Sequence, residues 1–176
     1  MKNTILTTAF LVFAVIFTND SFAQKFPDMD KSPMDVASFP NNFRRSDKVI
    51  RITYSRPQLK GREVYSLAKQ GQKWRTGANE ATEVTFYKDV TFGGKEVKAG
   101  TYTLYTVPGE TEWEVALSSQ INVWGAYFHK DENDVVRVTV PVKKHNKTIE
   151  AFSIAIDEEM TIHMAWGNII VSVDVD

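Results

Sequence analysis

The chain predicts an all-β fold: an antiparallel β-sandwich or barrel-like domain, jelly-roll-like in class, of about seven to nine strands. Three observations carry this reading. Period-two alternation of apolar and polar residues dominates from Val49 onward. Turn dipeptides such as Gly93-Gly94, Pro108-Gly109 and Gly167-Asn168 separate the alternating runs. No amphipathic window is long enough to suggest a helix that competes with the strands.

The first 23 residues read as a secretory signal. Lys2 precedes an apolar run from Ala9 to Phe17, and the small-x-small step Ser21-Phe22-Ala23 places cleavage after Ala23. The run is shorter than the ~20 residues that span a bilayer, and acidic Asp20 follows it in place of a basic stop-transfer cluster, so no stable membrane anchor is expected. The expected location is exported, periplasmic or secreted. There is no cysteine, so the expected mature chain carries neither a lipidated thiol nor disulfides, and its stability rests on its core.

Residues 24–47 contain Pro27, Pro33 and Pro40, spaced too closely for a helix-rich segment or a central strand. Phe26, Met34, Val36, Phe39 and Phe43 are too apolar for a plain linker, so this lead is expected to lie extended on the domain. Ser32-Pro33 also fits an N-cap with first-turn proline, which allows a short helix over 33–38.

The domain proper is expected over 48–176. In VIRITYS, Ile50, Ile52 and Tyr54 share one face; EVTFY and DVTF follow; GTYTLYTV aligns Tyr102 with Leu104. EWEVALS sets Trp113, Val115 and Leu117 against Glu112, Glu114 and Ala116. VVRVTVPV and EAFSIAI continue the pattern, the latter with Phe152, Ile154 and Ile156 in line. MTIHMAW, Gly167-Asn168 and IIVSVDV read as a closing hairpin with a primed turn at the glycine. Two less regular stretches, 63–77 and 121–134, are the loops where function is expected.

Charge excludes little except nucleic acid. Lys plus Arg number 21 against 22 Asp plus Glu, so no broad basic field exists for a phosphate backbone. The sequence lacks a nucleophile elbow, a P-loop, a dinucleotide glycine motif and a His-Glu-x-x-His motif, and it has no thiol. No cofactor and no metal are therefore expected. Of the three histidines, His129 sits in YFHKDEND and reads as part of a solvated charged turn; Asp131, Glu132 and Asp134 follow it at a spacing that matches no calcium loop. His145 reads as a basic hairpin tip and His163 as a structural strand histidine.

Two clusters carry more chemistry. YSRPQLKGR brings Arg56, Lys60 and Arg62 to the end of a strand, and WRTGANE crowds Trp74, Arg75, Asn79 and Glu80 before the next. A guanidinium grips carboxylates bidentately and stays charged at any relevant pH. The clusters thus admit three readings. In the first, Arg56, Lys60, Arg62 and Arg75 hold a small polar or anionic ligand, with Asn79 and Glu80 reading its hydroxyls and Trp74 supplying an apolar wall. In the second, Glu80 is a general acid or base and an arginine stabilises developing charge. In the third, Arg56, Arg75 and Glu80 form a buried structural ion-pair network, in a structural or cell-envelope interaction protein.

These motifs, with AGTYTLYTVPGETEWEV and the closing run through Trp166, resemble the domain of unknown function 2911 family of exported bacterial proteins. The resemblance spans roughly Asp28 to Asp174. It implies an all-β exported module with no assigned activity. It also implies that Arg56, Pro57, Lys60, Gly61, Arg62, Trp74, Arg75, Gly77, Asn79 and Glu80 are the family's marked positions.

Overall fold

A computed structural model describes residues 24–176; the expected signal peptide, residues 1–23, lies outside the described residues. Ten strands run through the described residues: β1 (Met34–Phe39), β2 (Ile50–Ser55), β3 (Glu83–Phe86), β4 (Val90–Phe92), β5 (Lys95–Val97), β6 (Gly100–Val107), β7 (Glu112–Ser118), β8 (Asp134–Pro141), β9 (Lys143–Ile156) and β10 (Ile162–Val173). Among the described residues, helix is confined to one turn, α1 (Val64–Leu67), and a 3₁₀ turn, η1 (Asp131–Asn133). No helix among the described residues is long and apolar enough to cross a membrane.

The main sheet has the order β1-β2-β3-β6-β7-β8, every pair antiparallel. It is a meander, interrupted only where the β4–β5 hairpin leaves between β3 and β6. The long β9–β10 hairpin forms a second layer. Ile50, Ile52 and Tyr54 of β2, Trp113, Val115 and Leu117 of β7, and Phe152, Ile154 and Ile156 of β9 join one continuous core. The alternation expected for these strands is thus the alternation of burial. Each fully buried aliphatic side chain contributes ~1.5–3 kcal/mol, and Ile50, Ile52, Leu104, Val115 and Leu117 are completely enclosed.

Two local assignments change. Residues 34–39 form strand β1, not a helix, pairing Met34 with Ser55 through Phe39 with Ile50. All six residues are in register with β2, and the flanking Pro33 and Pro40 suit a strand on the sheet's edge. Gly167-Asn168 is not a turn either. β10 runs straight through it, and the hairpin reverses at Asp157–Thr161, where Asp157 Oδ1 accepts from the N–H groups of Glu159 and Thr161. Gly167 instead marks a bulge: it pairs with Ile149, the register shifts on both sides, and its φ is +60°. A Cβ there would lie 2.7 Å from Val64 Cγ2 of α1, so the glycine lets β10 pass closely under that helix.

The second face of β6 and β7 is covered as well. Tyr105 and Ala116 are buried on it, together with Thr103 and Ser118, beneath the 119–133 segment. Of the two stretches expected to carry function, 121–134 thus contributes to a third partial layer, whereas 63–77 packs on the core side with Val64 and Trp74.

Substituting Gly167→Ala is expected to destabilise the fold by ~1–3 kcal/mol through overpacking against Val64 and strain at positive φ, read as a lower urea midpoint with unchanged m-value. Acid stability gives a second test. Arg45 holds the Asp47 carboxyl down to about 2, and Lys98 and His163 hold those of Asp89 and Asp157 below the usual carboxylate range. A depressed folded-state pKa stabilises at neutral pH and is lost as pH falls below ~4. Asp157→Asn is expected to flatten that acid limb in urea melts taken between pH 7 and 3.

Candidate functional site

The WRTGANE loop is keyed to the core by its first residue. Trp74 stacks on Trp166 of β10 at 5.5 Å and meets Phe152 of β9 and Trp113 of β7 edge-on at 5.1 and 6.1 Å. Its backbone exchanges hydrogen bonds with Thr106 of β6, and its indole Nε1 donates to the Gly77 carbonyl. Trp74 is therefore a core residue whose edge also reaches the wall of the neighbouring depressions. Gly77 passes so close to β2 that a Cβ would sit 3.1 Å from the Ser55 carbonyl oxygen. The loop then closes through threonines: Thr82 Oγ1 donates to the Thr76 carbonyl, and Thr76 Oγ1 to Thr106 Oγ1.

The first cluster is also built into the scaffold. After β2, Pro57 and Leu59 bond across to β9, where Phe152 N–H donates to the Pro57 carbonyl and Leu59 N–H to the Glu150 carbonyl. Arg56 is a strut: Nε donates to the Phe152 carbonyl at 3.1 Å, Nη1 to Asp35 of β1 at 2.9 Å, and Nη2 to Ser153 Oγ at 2.8 Å. The proposed buried network of Arg56, Arg75 and Glu80 is not formed. Arg56 takes Asp35 as its partner, and among the described residues neither Arg75 nor Glu80 forms a salt bridge. Lys60 and Gly61 both adopt positive φ, a tight turn that exposes the lysine while Glu150 Oε1 accepts from its N–H. Arg62 folds back to donate to the Leu59 and Gln58 carbonyls.

Lys60, Arg62, Trp74 and Arg75 nevertheless line one depression of about 300 Å³, together with Lys31. Arg75 and Trp74 are shared with a neighbouring depression of about 320 Å³ that adds Lys69 and Lys73. Neither lining contains an acidic residue. Arg75 lies between them with its guanidinium over the Trp124 ring at 5.4 Å, and its buried Nε has no hydrogen-bond partner among the described residues. Trp124 and Tyr127 stack at 5.9 Å and are largely exposed, an aromatic surface beside Arg75.

Glu80 does not join the arginines in that cleft. It is exposed and lines a separate depression with Tyr54, Glu83 and Trp124. Asn79 serves by its backbone: at φ +59° its carbonyl accepts from Gly125 N–H. Arg56 faces neither cationic depression.

A model of a family described as a protein of unknown function, DUF2911, matches residues 32–175. The chain belongs to this DUF2911 family. No curated protein and no solved structure matches it. Of the residues singled out in the sequence, Arg56 braces the fold away from the cleft, Pro57, Trp74 and Gly77 both hold the fold and line the cleft, and Lys60, Arg62 and Arg75 face it.

His129 departs most from expectation. Its side chain is not solvated but fully enclosed, under the Tyr105 ring at 4.3 Å. Burial pushes the imidazole below its ordinary range, against the pull of Asp134, and pushes the Tyr105 hydroxyl up to about 12. Only the covering of β6 by the 119–133 segment reveals this, because the local sequence is uniformly charged.

Trp74→Ala is expected to cost ~3–5 kcal/mol in urea denaturation, far more than Glu80→Gln, whose exposed side chain is expected to change stability by less than ~0.5 kcal/mol.

Proposed function

We propose that this DUF2911 protein is an exported binding module that holds a small anionic ligand in the cleft lined by Lys60, Arg62 and Arg75. The observation that carries the proposal is Arg75: a guanidinium with a buried, unpartnered Nε, set between two depressions whose charged lining is wholly cationic. A buried donor without a partner carries a desolvation cost of ~1–3 kcal/mol, which a carboxylate or phosphate oxygen on that nitrogen would offset. The exposed Trp124–Tyr127 stack beside it offers a flat apolar face to a ligand ring. A sugar acid or related envelope fragment combines that ring with that charge.

The catalytic reading has less support. Glu80, its candidate acid or base, opens onto a different depression from Arg62 and Arg75, so that carboxylate and those guanidinium groups do not line one substrate position.

A thermal-shift panel of uronic acids, phosphosugars, dicarboxylates and neutral sugars tests the proposal. A ligand at a hundred times its Kd stabilises by ~2.7 kcal/mol. At least one anion is expected to shift the wild-type melt while neutral sugars do not. Arg75→Gln is expected to weaken that anion by ~1.5–3 kcal/mol, the worth of a charged hydrogen bond, while retaining the fold. A flat panel, or full binding by Arg75→Gln, would overturn it.

A further inference from the structure

A second cluster lies at the end of the 119–133 segment and meets the cationic depression beside Arg75 only through Lys73, which bonds Asp131. The geometry points to a divalent transition-metal site of zinc type formed by His129, Asp131 and Asp134. His129 comes from the loop after β7, Asp131 opens η1 and Asp134 opens β8. One ligand atom from each lies within 4.8 Å of the others. His129 Nε2 is 2.9 Å from Asp134 Oδ1 and 3.5 Å from Asp131 Oδ1. Zinc bonds of ~2.0–2.2 Å at tetrahedral angles place neighbouring donors ~3.3–3.6 Å apart, so these spacings need only small adjustments.

Acidic residues beside a histidine would not suffice by themselves. What distinguishes this cluster is that its buried atoms are orphaned. The His129 side chain is 0 % exposed and that of Asp134 8 %, yet His129 Nδ1 and Nε2 and Asp134 Oδ1 have no hydrogen-bond partner among the described residues. Nε2 and Oδ1 are close enough to bond but are not aligned as donor and acceptor. Two lone pairs aimed at a common cation would leave the atoms in that relation. Buried polar groups without partners are rare, and each calls for an unseen ligand or a functional reason.

The surroundings suit a metal ion. Arg137 grips Asp134 through its other oxygen, Oδ2, and also bonds Glu114, which orients the ligand carboxylate and leaves Oδ1 free. Asp131 is 71 % exposed and gives an ion access from solvent. Its Oδ1 is held at 2.6 Å by the Lys73 ammonium and at 3.1 Å by Arg137, so a dication would displace Lys73. Asp131, Asp134 and Glu114 outnumber Lys73 and Arg137 by one charge, leaving the site anionic while the imidazole is neutral. One imidazole and two carboxylates suit zinc, cobalt or manganese and leave a coordination position open; calcium would need six to eight oxygens.

The test uses chelator-stripped mature chain titrated with Zn²⁺, Co²⁺, Mn²⁺, Ca²⁺ and Mg²⁺, followed by calorimetry and thermal melting. One Zn²⁺ per chain is expected, with a raised Tm and visible d–d absorption on Co²⁺ loading. His129→Ala and Asp131→Asn are expected to weaken Zn²⁺ at least tenfold, and His145→Ala, at the exposed hairpin, to leave it unchanged. Because Asp131 is exposed, Asp131→Asn keeps the test alive should His129→Ala fail to fold. Absence of Zn²⁺ and Co²⁺ binding, binding that survives Asp131→Asn, loss of binding in His145→Ala, or binding of Ca²⁺ alone would each overturn the assignment.

Discussion

The packing of Trp74 against Trp166, Phe152 and Trp113 is the contact on which the remaining architecture depends. It joins three bodies that share no continuous strand pairing: the 74–82 loop, the main sheet through β7, and the β9–β10 hairpin. In a chain without cysteine, such a junction must come from apolar packing. Offset and edge-on aromatic pairs add ~0.5–1.5 kcal/mol each beyond the area they bury. Since Trp74 is immovable, its neighbour Arg75 leaves the core at a fixed point. The position of the cleft is thus a consequence of core packing one residue away.

The arginines show how the same side chain acquires opposite roles. Arg56 and Arg62 end beside backbone carbonyl groups that accept from their guanidinium donors, Phe152 in β9 for the first and Gln58 and Leu59 for the second. Arg75 emerges where the nearby backbone is already paired: Thr82 N–H takes its own carbonyl and Gly125 N–H takes that of Asn79. With few acceptors left beside it, its guanidinium settles over the Trp124 ring and keeps an unused donor. What separates strut from binding group is the supply of local acceptors.

Local patterning made most of the scaffold legible. Alternation in β2, β7 and β9 identified the core rows because each strand has one fully buried face, and a residue's face then follows from its parity. β1 was obscured by its prolines, which are acceptable only because the strand is an edge, a property of the assembled sheet. Gly167-Asn168 has the composition of a turn, yet its glycine answers to the proximity of Val64, more than 100 residues earlier in the chain. The same limit applies to the sites. Arg75 and Lys60 were legible as chemistry, but the division between Arg56 and Arg75 depends on Asp35 and Ser153, and the burial of His129 on Tyr105. Sequence spacing carries no information about such distant partners.

The meander order of the main sheet has a kinetic corollary. Apart from β3 with β6, every pairing in that sheet joins strands consecutive in the chain, so most of it can assemble by short loop closures, the fast route for a β-protein. The contacts of Arg56 with Phe152 and Ser153 are different, closing separations of 96 and 97 residues. Closing loops of that length is entropically slow, and their reward arrives only once β9 has docked. Docking of the hairpin that completes the core is therefore expected to come late, with the apolar face of the main sheet uncovered until it does.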